Sequence, residues 1–200
     1  MTLAELCQFI LVLATKRKDP LVTELAHKGY KVTASTDGVL WAENEPVTPR
    51  VVVWPQFGEN IGARSRLALQ AEAIRNVLDW ADKTGGWTIV ADETMWLHEN
   101  LRLEKELNAI WYQGRTQGLS LIALAQRPSR IPRLAFSQAT YLFLGKFADK
   151  RDIETLREIS SAVPKEIIES GIRSLSKENH EFLFVDAQRD ELAIVVAPPR

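Results

Sequence analysis

Asp92 and Glu93 close the apolar run Thr88-Ile-Val-Ala91. An aspartate at a strand end can hold a magnesium-bound water, leaving a neighbouring glutamate to orient or deprotonate a second, attacking water. The same pair also suits a plain helix start, with Asp92 capping a helix from about Thr94 and Glu93 in solvent. Gln126 follows a second apolar run, Leu121-Ile-Ala-Leu-Ala125, and leads into Arg127-Pro128. A glutamine there can hydrogen-bond a terminal phosphate or the attacking water; it can equally be a polar strand end before a proline turn. The third feature is charge. From Leu107 to Ala148 the chain carries Arg115, Arg127, Arg130, Arg133 and Lys146 with no Asp or Glu. Such a stretch makes a local positive field suited to the phosphates of nucleotide or DNA, against the alternative of a solvated surface. Lys16-Arg17-Lys18 adds to that field, and Arg115, shortly before Gly118, is placed to reach a nucleotide on a neighbouring subunit.

Composition narrows the classes that could use these residues. The 200 residues hold 25 Lys and Arg against 26 Asp and Glu, a net charge of −1, so any nucleic-acid footprint is local rather than global. A hydrophobic share of 46% with 26% charged residues is that of a globular chain. The single cysteine, Cys7, excludes an intrachain disulfide and a cysteine-only zinc site, and the 3 histidines lie far apart. Phe9 to Ala14 is much shorter than the roughly 20 residues of a membrane span. Glu5 ahead of it, with no basic residue before, does not fit a secretory signal. A cytoplasmic protein without a membrane segment is expected.

The elements that must position these residues alternate. Leu3, Leu6, Cys7 and Ile10 have helical spacing, with Thr2 and Glu5 as a capping box, and the helix passes into a buried strand over Phe9–Ala14. Asp19-Pro20 opens a helix over 21–28, closed by Gly29, and Val51–Trp54 reads as a strand. Residues 31–50 read as a rim loop or small hairpin. Arg64–Asp82 is the clearest amphipathic helix, followed by a strand over Trp87–Ala91, a helix over Leu101–Gln113 and a strand over Leu119–Ala125. A strand at Thr140–Leu144, helices over Arg151–Ile159 and from Pro164, and a closing hairpin of 181–186 with 191–197 complete the chain. This is the pattern of one α/β domain, 1–200, with a mostly parallel sheet between two helix layers and a C-terminal hairpin. Ligands bind such sheets beyond the carboxyl ends of the strands.

A strand ending in Asp92-Glu93, a helix, Arg115-Thr-Gln-Gly118, a strand ending in Gln126-Arg127-Pro128 and a further apolar strand together resemble the HerA/FtsK group of P-loop ATPases. Ile122–Ser129 (IALAQRPS) is close to a recurring signature of that group, and Phe182-Leu-Phe-Val-Asp186 fits its closing hairpin. The resemblance implies ATP and magnesium as cofactors, DNA as partner and a ring hexamer as assembly. It places Asp92 on the magnesium, Glu93 as base, Gln126 as sensor, Arg115 as an arginine acting across subunits and Thr2 at the nucleotide. Arg127, Arg130 and Arg133 become the DNA contacts.

The sequence departs from the group in one respect. No G-x-x-x-x-G-K-[ST] occurs, and Gly145-Lys146 lacks the upstream glycine and the following hydroxyl residue. Phosphates lose their amide cradle and lysine without that loop. The first strand and phosphate loop are therefore expected to be absent, as if the chain begins just after them, either within a longer reading frame or as a truncated relative. The resemblance puts the missing strand centrally, beside both the Asp-Glu strand and the Gln strand. Three readings follow: an ATP-hydrolysing DNA translocase domain, a non-catalytic relative that binds DNA or protein, and an unrelated doubly wound domain.

Overall fold

The computed structural model describes residues 9–35, 41–42, 45–46, 49–58, 60–159 and 163–198. Thr2 and the helix read around Leu3 and Leu6 lie outside them. In chain order the elements are β1 (Ile10–Leu13), α1 (Pro20–His27), β2 (Lys31–Thr33), the paired β3 (Trp41–Ala42) and β4 (Glu45–Pro46), β5 (Arg50–Val53), α2 (Ala63–Thr84) and β6 (Thr88–Ala91). A π-helical turn, Trp96–Asn100, precedes α3 (Glu104–Gln113), and a 3-10 turn, Gly114–Gln117, precedes β7 (Ser120–Ala123). After a second 3-10 turn, Pro128–Arg130, come α4 (Arg133–Gln138), β8 (Tyr141–Leu144), α5 (Lys150–Arg157), α6 (Lys165–Ser174), β9 (Glu181–Asp186) and β10 (Glu191–Val196). The chain divides into two units, residues 1–125 and 126–200.

The first unit is built on a five-stranded parallel sheet in the order β2-β5-β1-β6-β7. Its centre is β1, whose Ile10, Leu11 and Leu13 are fully buried and whose Val12 is 5% exposed. A strand that is apolar at every position needs cover on both faces, and it has it. Leu11 and Leu13 pack with Val51, Val53, Ile89 and Ala91 beneath Ile74, Val77 and Leu78 of α2 and Leu107 and Ile110 of α3. Ile10 and Val12 face the other way, against Val22 and Leu25 of α1. The layering follows from chain direction. From β1 the chain steps to the β2 edge, whereas from β5 it steps the other way, through β6 to β7. Right-handed crossovers in opposite directions put their helices on opposite faces.

Two departures from the sequence reading concern this sheet. β6 and β7 pair directly, Thr88 opposite Ser120 through Ala91 opposite Ala123, so no place for another strand lies between the Asp-Glu strand and the Gln strand. α3 with its 3-10 turn returns the chain to the immediate neighbour of β6, where the facing backbone groups of the two strands pair. Residues 31–50 hold β2, an edge strand of this sheet paired to β5, and the antiparallel β3–β4 pair.

The second unit is a three-stranded antiparallel sheet, β10-β9-β8, with helices on one face. Leu144, Leu183 and Val185 pack against Leu156 of α5 and Ile168 and Ile172 of α6. β9 and β10 form the expected hairpin, and β8 joins β9 in antiparallel register rather than extending the parallel sheet. The short α4 had no periodic signal in the sequence, since six residues are too few to show one.

One glycine is demanded by geometry. Gly85 ends α2 at φ 66° and ψ 179°, a region open essentially to glycine alone, and a Cβ there would lie 2.5 Å from the Gln117 carbonyl oxygen. Gly85→Ala is expected to destabilise the protein by about 1–3 kcal/mol in urea unfolding. Gly58→Ala, whose Cβ meets nothing within 4 Å, is the control and should change stability little.

Candidate functional site

The carboxyl ends of β1 and β6 lie side by side, and their outgoing chains part to opposite faces, β1 to α1 and β6 to α3. That crevice is where doubly wound sheets bind ligands. Asp92 and Glu93 stand there, on the two residues after β6, and opposite them Lys16 rises from the connection after β1. Lys16 Nζ lies 2.9 Å from Asp92 Oδ2 and 3.2 Å from Glu93 Oε1. The hydrogen bond to Asp92 is the main cause holding the Lys16 ammonium above its ordinary range, against the cost of partial burial and with help from Glu93. The lysine therefore stays charged at neutral pH.

Its backbone is fixed from two sides. The Gln70 amide of α2 donates to the Thr15 carbonyl at 2.8 Å, and the Trp54 indole donates to the Lys16 carbonyl at 2.7 Å. Trp96, in the π-helical turn after the acids, donates in turn to Gln70 Oε1 at 3.2 Å. Gln70 is 7% exposed, so this polar chain is buried and each partner counts. Sequence reading placed Lys16 only in a basic cluster. Its partners are 76 and 77 positions away, and only the pairing of β1 with β6 brings them together.

The β1–α1 turn lines the crevice and offers no phosphate loop of its own. Its residues, Ala14-Thr-Lys-Arg-Lys-Asp-Pro20, include no glycine. Asp19 caps α1, its Oδ1 accepting from the Leu21 amide at 3.0 Å, and Pro20 removes the next amide. Asp19 is 8% exposed, and its Oδ2 has no hydrogen-bond partner among the described residues. A carboxylate thus already takes the end of the helix that would attract an anion. The turn does not fit a triphosphate. The acids opposite do fit a cation, since both converge on one nitrogen. Among the described residues no group of three or more His, Cys, Asp or Glu side chains could hold a metal.

The remaining candidates are spread out. The chain after β7 is stapled to the chain after β6, with Leu124 donating to the Ala91 carbonyl at 2.9 Å and Thr94 donating to the Leu124 carbonyl at 3.1 Å. Gln126 follows two residues later and opens the second unit. Arg115 lies in the 3-10 turn before β7, at the amino end of the strands, so it does not share the rim with Asp92 and Glu93. In the second unit the acid-free stretch loses its one-sidedness, because α5 supplies the carboxylates. Arg127 pairs with Asp149 at 3.0 Å and Asp152 at 2.9 Å, and Arg133 pairs with Glu158 at 2.8 Å. Arg130 ends the Pro128–Arg130 turn beside them. Asp152, 2% exposed, also accepts from the Ser129 amide at 3.0 Å and hydroxyl at 2.6 Å. The motif Gln126-Arg-Pro-Ser129 is thereby anchored to α5 through one buried carboxylate.

The genome packaging NTPase B204 from Sulfolobus turreted icosahedral virus 2 in complex with AMPPCP matches at 13% identity, 97% of this chain and 98% of that one, with a TM-score of 0.54. The sulfate complex of the same protein matches at 14% identity over 97% and 98%, TM-score 0.52. B204, the DNA-packaging ATPase from Sulfolobus turreted icosahedral virus, matches at 14% identity over 96% and 98%, TM-score 0.54. The chain has a P-loop NTPase-like fold. No protein-family model matches the sequence, and no curated protein does. At these identities the likeness shows that NTPase-like fold, and residue roles rest on the geometry above.

Burial pushes the Asp152 carboxyl up, but the Ser129 hydroxyl and amide and the Arg127 guanidinium outweigh it and leave the group below its ordinary value. Its contribution to stability is thus complete above the unfolded carboxyl value and lost as pH falls through the lower folded one. Asp152→Asn is expected to cost about 1–3 kcal/mol at pH 7. The gap from wild type should stay constant above about pH 5 and close progressively below about pH 4.

Proposed function

We propose that this protein is a non-hydrolysing relative of the DNA-moving P-loop ATPases, a binding module that works on DNA in the cytoplasm as part of a homo-oligomeric assembly. The observation that carries the reading is the β1–α1 turn. The crevice between β1 and β6 is where a doubly wound sheet takes its ligand, yet this turn presents a capping carboxylate, a proline and no glycine, and its lysine is engaged by Asp92 and Glu93. The genome-packaging NTPases that share the fold support DNA as the partner, and the oligomer is what the HerA/FtsK resemblance implies. The AMPPCP and ATP-gammaS complexes of those proteins make ATP the nucleotide to test first, with the magnesium that the resemblance implies.

One observation favours a second reading, a hydrolysing motor that couples ATP turnover to DNA movement in a ring hexamer. Asp92 and Glu93 stand at the strand end where such chemistry needs them, next to the strand that leads to Gln126. In that reading Asp92 holds magnesium, Glu93 is the base, Gln126 senses the phosphate, and Arg115 acts on the neighbouring subunit from the far end of the sheet. Arg127, Arg130 and Arg133 then face DNA.

ATPase and thermal-shift assays separate the two. Under the first reading millimolar Mg-ATP stabilises the wild-type protein by about 0.4 kcal/mol or less, a shift of about 1–2 °C or less, with no turnover above background. Turnover on the order of 1 s⁻¹ or faster that disappears in Glu93→Gln would establish the motor instead. Duplex DNA binding should weaken steeply with salt; an affinity that ignores salt, or none, removes DNA from the reading.

A further inference from the structure

We propose that duplex DNA is held at the carboxyl rim of the parallel sheet, by Arg17 and Lys18 of the β1–α1 turn and Arg64 in the first turn of α2. The inference rests on DNA as the partner in the reading above, and it moves the contact away from the arginines that the sequence suggested. Arg127 and Arg133 are already paired with Asp149, Asp152 and Glu158. Their charge is neutralised inside the second unit, and a phosphate reaching them must first displace a carboxylate.

The rim cations are placed differently. Arg17, Lys18 and Arg64 are exposed, and none of their side chains has an ion pair or hydrogen bond among the described residues. Lys16 beside them is taken by Asp92 and Glu93, and Asp19 is turned to the start of α1. The α2 side is as one-sided: from Trp54 to Ala71 the sequence has Arg64 and Arg66 against Glu59, which lies outside the described residues.

The fold brings the two segments to one level. α2 follows β5 and runs back along the sheet, so it begins at the carboxyl rim. The Gln70 bond to the Thr15 carbonyl at 2.8 Å fixes its height. Arg66 and Arg64 come earlier on the helix, about 6 and 9 Å beyond Thr15 at the usual rise per residue. The β1–α1 turn carries Arg17 and Lys18 out past Thr15 as well. Arg66 lies back on the Ile61 carbonyl at 2.8 Å and keeps its charge at that end. α2 starts at Gly62 with no side-chain cap and no acid in its first turn, so the positive end of the helix adds to the field. In a chain of net charge −1 this is a local footprint of one sign, spread over two elements on an open surface. Such a surface suits a polymer of phosphates, and contacts to phosphate alone carry no base sequence.

The test is fluorescence anisotropy on a labelled duplex of random sequence, titrated at several potassium chloride concentrations. Arg17→Gln/Lys18→Gln/Arg64→Gln is expected to bind about tenfold or more weakly than the wild-type protein, with the slope of log affinity against log salt shallower by about 0.9 for each charge removed. Lys83→Gln, the same charge lost at the far end of α2, should bind as wild type does. The melting temperature of the triple variant should stay level or rise, because like charges are relieved, which a structural role for these side chains would not allow. A triple variant that binds like wild type, or a loss that Lys18→Gln and Lys83→Gln share equally, overturns the surface while leaving DNA as the partner. Wild-type protein that binds no duplex defeats the DNA reading, and this surface with it. Should the triple variant not fold, Arg17→Gln/Lys18→Gln is read by the same titration with the same outcomes.

Discussion

The pairing of β1 on both edges, with its side chains buried on both faces, is the constraint from which the rest of the first unit follows. Val12 and Leu13 sit in register with Val52 and Val53 on one side and with Val90 and Ala91 on the other. Three strands therefore end at one level, and whatever follows them is delivered to one rim. Parallel pairing leaves little freedom in that alignment, because a slip of one residue would turn Leu11 and Leu13 from one helix layer to the other. The closeness of Lys16 to Asp92 and Glu93 is thus a consequence of core packing. Surface ion pairs by themselves contribute only about 0–1 kcal/mol, too little to set a fold. Here the fold sets the ion pair.

A P-loop NTPase-like scaffold usually directs backbone amides and a helix N-terminus at an anion. In this chain the turn that faces the acids across the crevice has the opposite electrostatics. Asp19 satisfies the helix end internally, and the lysine of the turn is directed across the crevice to the acids. The site is closed on itself, positive against negative, with its hydrogen bonds to Gln70 and Trp54 satisfied inside the protein. A triphosphate entering it would have to displace Lys16 from two carboxylates and face Asp19 as well.

Much of this architecture is legible in the sequence. The strands at Ile10–Leu13, Thr88–Ala91 and Ser120–Ala123 are short apolar runs bounded by breakers, and α2 carries an apolar face at helical spacing. The closing hairpin is marked by Gln188-Arg-Asp190 between two β-rich runs. Asp92-Glu93 at a strand end marks the rim. Lys16 was less visible, since its meaning depends on which strand neighbours β1, and neighbours in a parallel sheet are set by crossovers rather than by local pattern. The same holds for β8, which reads alike whether it extends the parallel sheet or pairs with β9. Arg127 and Arg133 show the limit from another side. Their stretch has no acid in it, but α5 begins directly after it and brings Asp149, Asp152 and Glu158 back against it.

The most direct test is a crystal structure of the full chain grown with saturating Mg-AMPPCP, set beside one grown without nucleotide. A closed site predicts the same arrangement in both: Lys16 Nζ within hydrogen-bond distance of Asp92 and Glu93, Asp19 capping α1, and no triphosphate on the turn between β1 and α1. A triphosphate seated on Thr15–Pro20, with Lys16 turned from the acids to the phosphates and magnesium on Asp92, would contradict it.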